Sequence, residues 1–378
     1  NLEVSGQSRL LASANASSQG GSFTVSAVRF GGPVRNVSVD ISRGGAVTAT
    51  AGSASSAVAV TFGASEGEYH EVSVQVRGRG TRVVAVAERV YAQAVMMLRS
   101  AGTGVANDVV ISVADGARVE ARVDRGGSFS PAAAVLFQGM ACRNLTVSVS
   151  GNATVVATAP GQVAAVVMAM MTAVNGTQFL VEGESNVQAH STGSLASAMV
   201  LEATLLLFDV TLAVTTGATV AVSASASSAG RFGASAVVFQ CEVITRRVRV
   251  LIADAATVSA TSVINEARAI YFASIASTRS VIVEDLTIVV SNGSAVEASV
   301  VGSGISQAMV ASAIAVWSSI GGRAEALLFA TVNDDGEPHL SLNRAGGVPR
   351  EYRIEGGSGE GGAALAGANA TIRDRAGS

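Results

Sequence analysis

Short segments in which apolar and polar residues alternate recur along the chain. The clearest copy is Val37-Ser-Val-Asp-Ile41. Alternation with a period of two is typical of a strand with one buried face. The same pattern returns at Leu2/Val4, Val72/Val74/Val76, Val109/Ile111/Val113, Leu145/Val147/Val149, Phe179/Val181, Val210/Leu212/Val214, Val248/Val250/Ile252 and Leu286/Ile288/Val290. Successive copies are roughly 36 residues apart, which predicts about nine turns of a repeat structure.

Two further strands are predicted within each copy. A polar or glycine-rich break such as Asp115-Gly116 follows the first strand, and a second alternating strand with small inward residues then begins, as in Val47–Ala51 and Val119–Val123. A third strand with larger residues, as in Val58–Phe62, follows a loop of variable length. Three strands per repeat indicate a coil with three faces.

This repeat predicts an all-β fold, a right-handed parallel β-helix (β-solenoid), over residues 1–332. Stacked coils place each strand beside its equivalent about 4.8 Å away, and parallel connections are almost always right-handed. The alternative is a β-propeller, whose blades repeat at roughly 40 residues but need four antiparallel strands. Three strands and loops of unequal length favour the solenoid. Residues 333–378 are predicted to form a Gly-rich, irregular segment or the start of another module.

Composition and charge exclude some functions. Hydrophobic residues make up 49% of the chain and charged residues 14%, with a net charge of -3. Nucleic-acid binding usually needs a clustered basic face, so it is not predicted. The basic run at Arg246, Arg247 and Arg249 is interpreted as a solvated face, with contact to acidic glycans as the alternative. The apolar window Val301–Gly322 is diluted by Gly, Ser and Gln, so a membrane helix is not predicted there.

Seven Asn-x-Ser/Thr sequons indicate N-glycosylation, and none of them occupies a predicted inward position. The sequon asparagines are Asn15, Asn36, Asn144, Asn152, Asn175, Asn292 and Asn369. Asn36 and Asn144 are expected one residue before a strand on its outward side, Asn152 and Asn292 in a tight turn, and Asn175 in a loop. The alternative is that Asn-Gly and Asn-Ala are simply favourable turn sequences. The chain begins with Asn, so it is expected to be a piece of a longer protein, with any secretion signal or anchor elsewhere.

The sequence predicts no catalytic, cofactor or metal site. His70, His190 and His339 are isolated, and Asp334–Glu337 lacks the ligand spacing of an EF-hand, so a solvated turn is favoured over a calcium site. Cys142 and Cys241 are placed about three coils apart, too far for a disulfide, and are expected to be buried free thiols.

Aspartates are scattered singly over different coils, as at Asp40, Asp108, Asp254 and Asp285. The chain is therefore predicted to be non-enzymatic. The alternative is a carbohydrate-active β-helix enzyme whose site is assembled from separate coils. Three outward carboxylates within about 10 Å of one another in a groove would indicate such a site.

The phrases Asn144-Leu-Thr-Val-Ser-Val149 and Val289-Val-Ser-Asn-Gly-Ser294, with the bias towards Ala, Val, Ser, Gly and Arg, resemble the dispersed gene family proteins of trypanosomes. The resemblance covers about residues 1–330. Those proteins are very large surface glycoproteins with pectin-lyase-like β-helical repeats and C-terminal membrane segments. The resemblance implies a cell-surface or secreted location and a role in adhesion, with an extracellular matrix protein or a cell-surface glycan as partner. It implies no catalytic residue, and membrane attachment only through parts outside this chain.

Overall fold

The computed structural model describes residues 1–14, 23–64, 68–99, 104–126, 131–225, 233–263, 266–274, 282–300, 310–316, 324–332 and 369–373. All regular secondary structure in these residues is β-strand. The strands are β1 Leu2–Val4, β2 Arg9–Ala14, β3 Phe23–Gly31, β4 Val34–Ser42, β5 Ala46–Ala51, β6 Ser55–Ala64, β7 Tyr69–Arg77, β8 Arg82–Ala87, β9 Ala92–Arg99, β10 Gly104–Ala114, β11 Arg118–Val123, β12 Ala132–Gln138, β13 Met140–Val149, β14 Thr154–Ala159, β15 Val163–Val181, β16 Asn186–Ser191, β17 Ala196–Val214, β18 Thr219–Ala224, β19 Gly233–Cys241, β20 Ile244–Ile252, β21 Thr257–Ser262, β22 Glu266–Ser274, β23 Ile282–Ser291, β24 Ala295–Val300, β25 Val310–Val316, β26 Ala324–Val332 and β27 Asn369–Arg373.

Strands β1 to β26 form a parallel β-solenoid with a first, a second and a third strand in each turn. The second strands form a sheet of their own, and the first and third strands together form a 17-stranded sheet. The first and third strands belong to one sheet because β15 and β17 each run without a break from the third strand of one turn into the first strand of the next. The predicted fold class is therefore confirmed. Seven turns, from β4 to β22, have a described neighbour on both sides, two fewer than the nine expected.

Equivalent residues stack in register from turn to turn. On the first face the central apolar column runs through Val39, Val74, Ile111, Val147, Phe179, Leu212, Val250 and Ile288. Each of these side chains is at most 2% exposed. The period-two pattern that predicts the first strands thus marks the core.

Small residues fill the second face, as predicted. Its central column consists of Ala12, Ala49, Ala85, Ala121, Ala157, Ala189, Val222, Ala260 and Ala298. The third face contributes the large side chains. Phe30 stacks on Phe62 with ring centroids 4.8 Å apart, and Phe239 stacks on Phe272 at 4.7 Å. The core is filled because large side chains on the third face lie opposite small ones on the second.

The parallel array described by the structure ends with β26 at Val332. Within the segment 333–378, predicted to be irregular, Asn369–Arg373 form β27, which pairs antiparallel with β24. This strand covers an edge that would otherwise expose unpaired backbone groups. In the apolar window 301–322, Val310–Val316 form β25 and the rest lies outside the described residues. None of the described residues belongs to a helix long and apolar enough to cross a bilayer.

We expect Ala157→Leu to destabilise the solenoid by about 1–3 kcal/mol, since Ala157 is fully buried between Ala121 and Ala189 and a larger side chain would overpack the column. The matched control is Thr158→Leu, because Thr158 lies next to it on β14 but faces outwards and is partly exposed. Urea denaturation of both variants measures the difference. Equal destabilisation by the two substitutions would contradict the assigned inward column.

Candidate functional site

The corner between the first and second strands, here called the constant corner, has nearly the same length in every turn. Three or four residues separate the two strands from β1 to β24. From β4 onwards two residues per turn in this corner adopt positive φ, as at Asp115 and Gly116 (φ 56° and 73°) or Asn292 and Gly293 (φ 54° and 72°). Because L-residues rarely adopt this conformation, glycine, asparagine and aspartate are favoured there.

Backbone hydrogen bonds link the constant corners of successive turns. The amide of the second left-handed residue donates to the carbonyl of the first left-handed residue one turn further along. This pattern connects Gly116 to Gly151 (2.7 Å), Asn152 to Gly183 (2.8 Å), Glu184 to Thr216 (2.9 Å), Gly217 to Asp254 (2.7 Å) and Ala255 to Asn292 (2.8 Å). The left-handed conformation therefore keeps the corner bonded to its neighbour.

A second column of left-handed residues lies near the start of each first strand. Its members share φ between 52° and 63° and are Asn36, Glu71, Asp108, Asn144, Gly176, Asp209 and Arg247. Their side chains, other than that of Gly176, are exposed. This column was not predicted, since Glu and Arg give no sequence signal for a left-handed conformation.

All five sequon asparagines with described side chains are exposed. Asn152 and Asn292 lie in the constant corner, as predicted. Asn36 and Asn144 lie inside β4 and β13 and not one residue before them, because these strands begin before the left-handed bend. Asn175 was predicted in a loop; this was wrong, because β15 passes through that corner without interruption. Of the remaining two, Asn15 lies outside the described residues and Asn369 begins β27.

Three of these asparagines contact a carboxylate in a neighbouring turn. The amide nitrogen of Asn144 donates to Asp108 Oδ1 at 3.0 Å, and that of Asn292 donates to Asp254 Oδ1 at 2.8 Å. When the Asn152 side-chain amide is oriented with its nitrogen towards acceptors, that nitrogen donates to Glu184 Oε2 at 3.2 Å. Conformation and hydrogen bonding therefore give a structural reason for asparagine at these positions, separate from glycosylation.

The corner between the second and third strands, here called the variable corner, differs in length from turn to turn. Between three residues (52–54) and nine residues (301–309) separate the two strands. The connections of eight or nine residues, at 15–22, 124–131, 225–232 and 301–309, are all at this corner, whereas those between third and first strands have none to seven residues. Variation in length is thus concentrated on one edge of the second face, while the other edge is nearly constant.

A shallow groove of about 330 Å³ lies beside the variable corner. Its lining includes Ser13, Thr50, Glu88 and Asp124. Glu88 and Asp124 follow the last residues of β8 and β11 in adjacent turns, so sequence positions far apart are brought together here. The pair was not predicted from the sequence, because only the register of β8 on β11 brings these two residues together. The groove contains two carboxylates, fewer than the three that would indicate an assembled glycosidase site.

Both groove carboxylates are paired with arginine. Asp124 Oδ1 lies 2.7 Å from Arg122 Nε, and Glu88 Oε1 lies 4.0 Å from Arg125 Nη1. About a third or more of each carboxylate side chain is exposed. The general acid of a glycosidase commonly lies in an apolar pocket, whereas both of these side chains are exposed and paired with arginine.

The two described histidines, His70 and His190, lie on different turns, as predicted. His190 Nδ1 lies 2.8 Å from Ser223 Oγ on the outer side of the second face, and burial lowers the pKa of His190. The flanking outward residues, Gln188 and Ala221, supply no carboxylate to orient the imidazole, so this contact does not form a catalytic triad. His70 Nε2 contacts Glu68 at 2.9 Å, and this contact lowers the pKa of Glu68.

Other candidate ligands and thiols give no reactive centre in the part of the chain that the structure describes. No group of three or more His, Cys, Asp or Glu side chains there could hold a metal ion. His339 and residues 334–337 lie outside it. Cys142 and Cys241 are buried free thiols, as predicted, and burial raises the pKa of Cys142 to about 12. A thiol with that pKa is not a nucleophile at neutral pH.

Comparison with known proteins adds no family to this description. No protein-family model, curated protein or solved structure matches the chain.

We expect Asn292→Ala to lower the free energy of unfolding by about 1–2 kcal/mol, because alanine is disfavoured at φ 54° and the bond to Asp254 is lost. Asn292→Gly should cost less, since glycine adopts this conformation readily. Urea denaturation of protein made in a host that does not glycosylate separates the two effects. Equal losses would show that backbone conformation does not determine the residue at this corner.

Proposed function

We propose that this chain is part of a non-enzymatic, N-glycosylated cell-surface or secreted solenoid that acts in adhesion to matrix proteins or cell-surface glycans through its variable corner. The observation that carries the proposal is the difference between the two edges of the second face. Connections at the constant corner have three or four residues, whereas those at the variable corner have three to nine.

A physical argument links this difference to binding. Stacking fixes the strands and the constant corner, so a change in either would disturb both neighbouring turns. A longer connection at the variable corner leaves the stacked strands in place. Loops on a rigid scaffold are where proteins commonly place binding residues. The variable corner therefore offers different sequences at fixed positions along one edge.

The sequons support an extracellular location. The five described asparagines are exposed, so glycans attached to them would project into solvent without displacing the core. The resemblance to dispersed gene family proteins supports the same location. It also favours interaction with a host or matrix surface over catalysis.

The carbohydrate-active enzyme alternative has less support. The groove beside the variable corner brings Glu88 and Asp124 together, but arginine pairing and exposure leave neither suited to act as a general acid. A binding role makes no such demand on the carboxylates.

Glycosylation can be tested at Asn144 without changing the asparagine. In protein secreted from a eukaryotic host, Thr146→Ala should remove one glycan, and peptide N-glycosidase treatment should then give a smaller gel shift than for the parent. Thr146→Ser is the matched control, because it preserves the sequon on the same outward face. An unchanged shift for Thr146→Ala would show that Asn144 carries no glycan. No shift for the parent would remove the sequon support for a surface location.

Binding through the variable corner can be tested by replacing residues 124–131 with the four residues of 192–195. The shorter connection provides the same bonds at both ends, since the Thr192 amide donates to Ala159 as the Asp124 amide does to Ala87, and Leu195 and Pro131 carbonyls accept equivalent bonds. On an array of matrix proteins and glycans, we expect the replacement to weaken binding to at least one partner of the parent.

The control for this replacement is Glu184→Gly, which changes an exposed residue of the constant corner to a type that keeps the left-handed conformation. Its binding profile should equal that of the parent. Absence of binding by the parent to any array member would contradict the adhesion proposal. A loop replacement with an unchanged profile would show that residues 124–131 take no part.

A further inference from the structure

Arginines are concentrated at the constant corner in the first four turns. In the adjacent second strands, the first outward position is occupied by Arg9, Ala46, Arg82 and Arg118 in successive turns. Arg43 and Arg79 occupy the corner itself. We call Arg9, Arg43, Arg79, Arg82 and Arg118 the arginine patch, and all five side chains are exposed.

The structure brings these residues together although they are spread over more than 100 positions in sequence. Arg82 and Arg118 are direct partners in the parallel ladder of β8 and β11. A Cβ added at Gly78 would lie 3.5 Å from the Arg43 amide nitrogen, and one added at Gly116 would lie 3.7 Å from Arg79 Cα. The corner arginines are therefore one turn apart and adjoin the strand arginines.

Most of this charge is not neutralised. Among the described residues, Arg118 contacts Glu120 at 2.8 Å, and Arg9, Arg43, Arg79 and Arg82 have no ion pair. The other nearby acidic side chains are Asp40, which pairs with Arg77 on the first face, its exposed ladder partner Glu3, and the exposed Asp115. The patch is thus clearly positive on a chain whose net charge is -3.

Placing like charges on directly opposite positions of neighbouring strands is unfavourable. The Arg82–Arg118 pair has this arrangement, and the ion pair of Arg118 with Glu120 relieves it only in part. The neighbouring Arg43 and Arg79 add to the repulsion. A bound polyanion would relieve the repulsion, because guanidinium groups can bind carboxylate or sulfate oxygens in a bidentate manner. Repulsion that the fold does not relieve is typical of a binding surface.

The geometry points to an anionic polysaccharide as the ligand, and we propose that the arginine patch binds a sulfated or carboxylated glycan. The inference rests on the proposed extracellular role and names one partner class for it. Strand stacking spaces the arginines in steps of about 4.8 Å along a rigid edge, which suits a linear polymer with regularly repeated anionic groups.

Two features of the patch favour a glycan over nucleic acid. The strands that carry it, β8 and β11, contain no aromatic residue. Sequence-independent binding of single-stranded nucleic acid commonly uses aromatic side chains on which bases stack. The patch also lies on an outer edge and not in a groove that would enclose a strand.

The test measures binding of heparin, as a sulfated probe, to the whole chain by titration calorimetry at two salt concentrations. We expect the parent to bind, with affinity falling as salt increases. The variant Arg43→Gln/Arg79→Gln/Arg82→Gln should bind heparin with an affinity about tenfold lower than that of the parent, because three exposed charge contacts are lost. Lysine at the same three positions should recover part of the affinity.

The matched control is Arg29→Gln/Arg35→Gln/Arg143→Gln, which removes the same charge from exposed positions outside the arginine patch. Its heparin affinity should stay within about twofold of the parent. Equal weakening by the two triple variants would overturn the assignment to this patch, as would absence of heparin binding by the parent. Melting curves of both variants verify that they are folded.

Other ligands are distinguished by further arms of the same experiment. Binding of a poly-dT oligonucleotide or of phosphatidylserine vesicles as strong as that of heparin would overturn the choice of a glycan. Loss of self-association in the patch variant, with heparin binding retained, would assign the patch to a second copy of the chain. Heparin binding that survives replacement of residues 124–131 would keep this inference distinct from the variable-corner proposal.

Discussion

The structure depends on parallel, in-register stacking of each strand on its equivalent in the next turn. This stacking requires the strands of every turn to lie in the same register, so that each inward apolar side chain lies on its equivalent in the next turn. The alanine column through Ala121, Ala157 and Ala189 on the second face and the stacked pair Phe239 and Phe272 on the third face have this register. The constant corner, with its two left-handed residues, keeps the same register, because its amides donate to the neighbouring turn instead of to water.

Much of the fold is readable from the sequence because stacking repeats the same physical demand about every 36 residues. The first strands are recognisable from their alternation, as Val147 and Leu212 show, since their outward residues are mostly polar. The strand β8 was missed because Val84 and Val86 face outwards and hide the period of its inward residues. The third strands are predicted from their larger residues and not from a polar outer face, because strands such as β12 are buried on both faces and alternation disappears.

The candidate surfaces are less readable than the fold. A left-handed conformation is suggested by Asn144 or Gly176 but not by Met170, Glu71 or Arg247, which adopt it because their position in the turn demands it. Neither the pairing of Asn144 with Asp108 nor the proximity of Glu88 and Asp124 can be found without the register of neighbouring turns. One-dimensional spacing varies with loop length, and a shift of a single residue would move each partner to the other face.

The stacking that favours columns of identical apolar residues makes columns of identical charges costly. At several outward positions the chain avoids the cost by placing a complementary group one turn away. Asp40 meets Arg77, Asn144 meets Asp108, and Asn292 meets Asp254. Like charges nevertheless lie directly opposite each other in the ladder pairs Arg82–Arg118 and Glu3–Asp40. One member of each pair has a partner of opposite charge, Glu120 for Arg118 and Arg77 for Asp40. Arg82, with the neighbouring Arg43 and Arg79, has no ion pair among the described residues, so this corner keeps positive charge that the proposed anionic ligand could use.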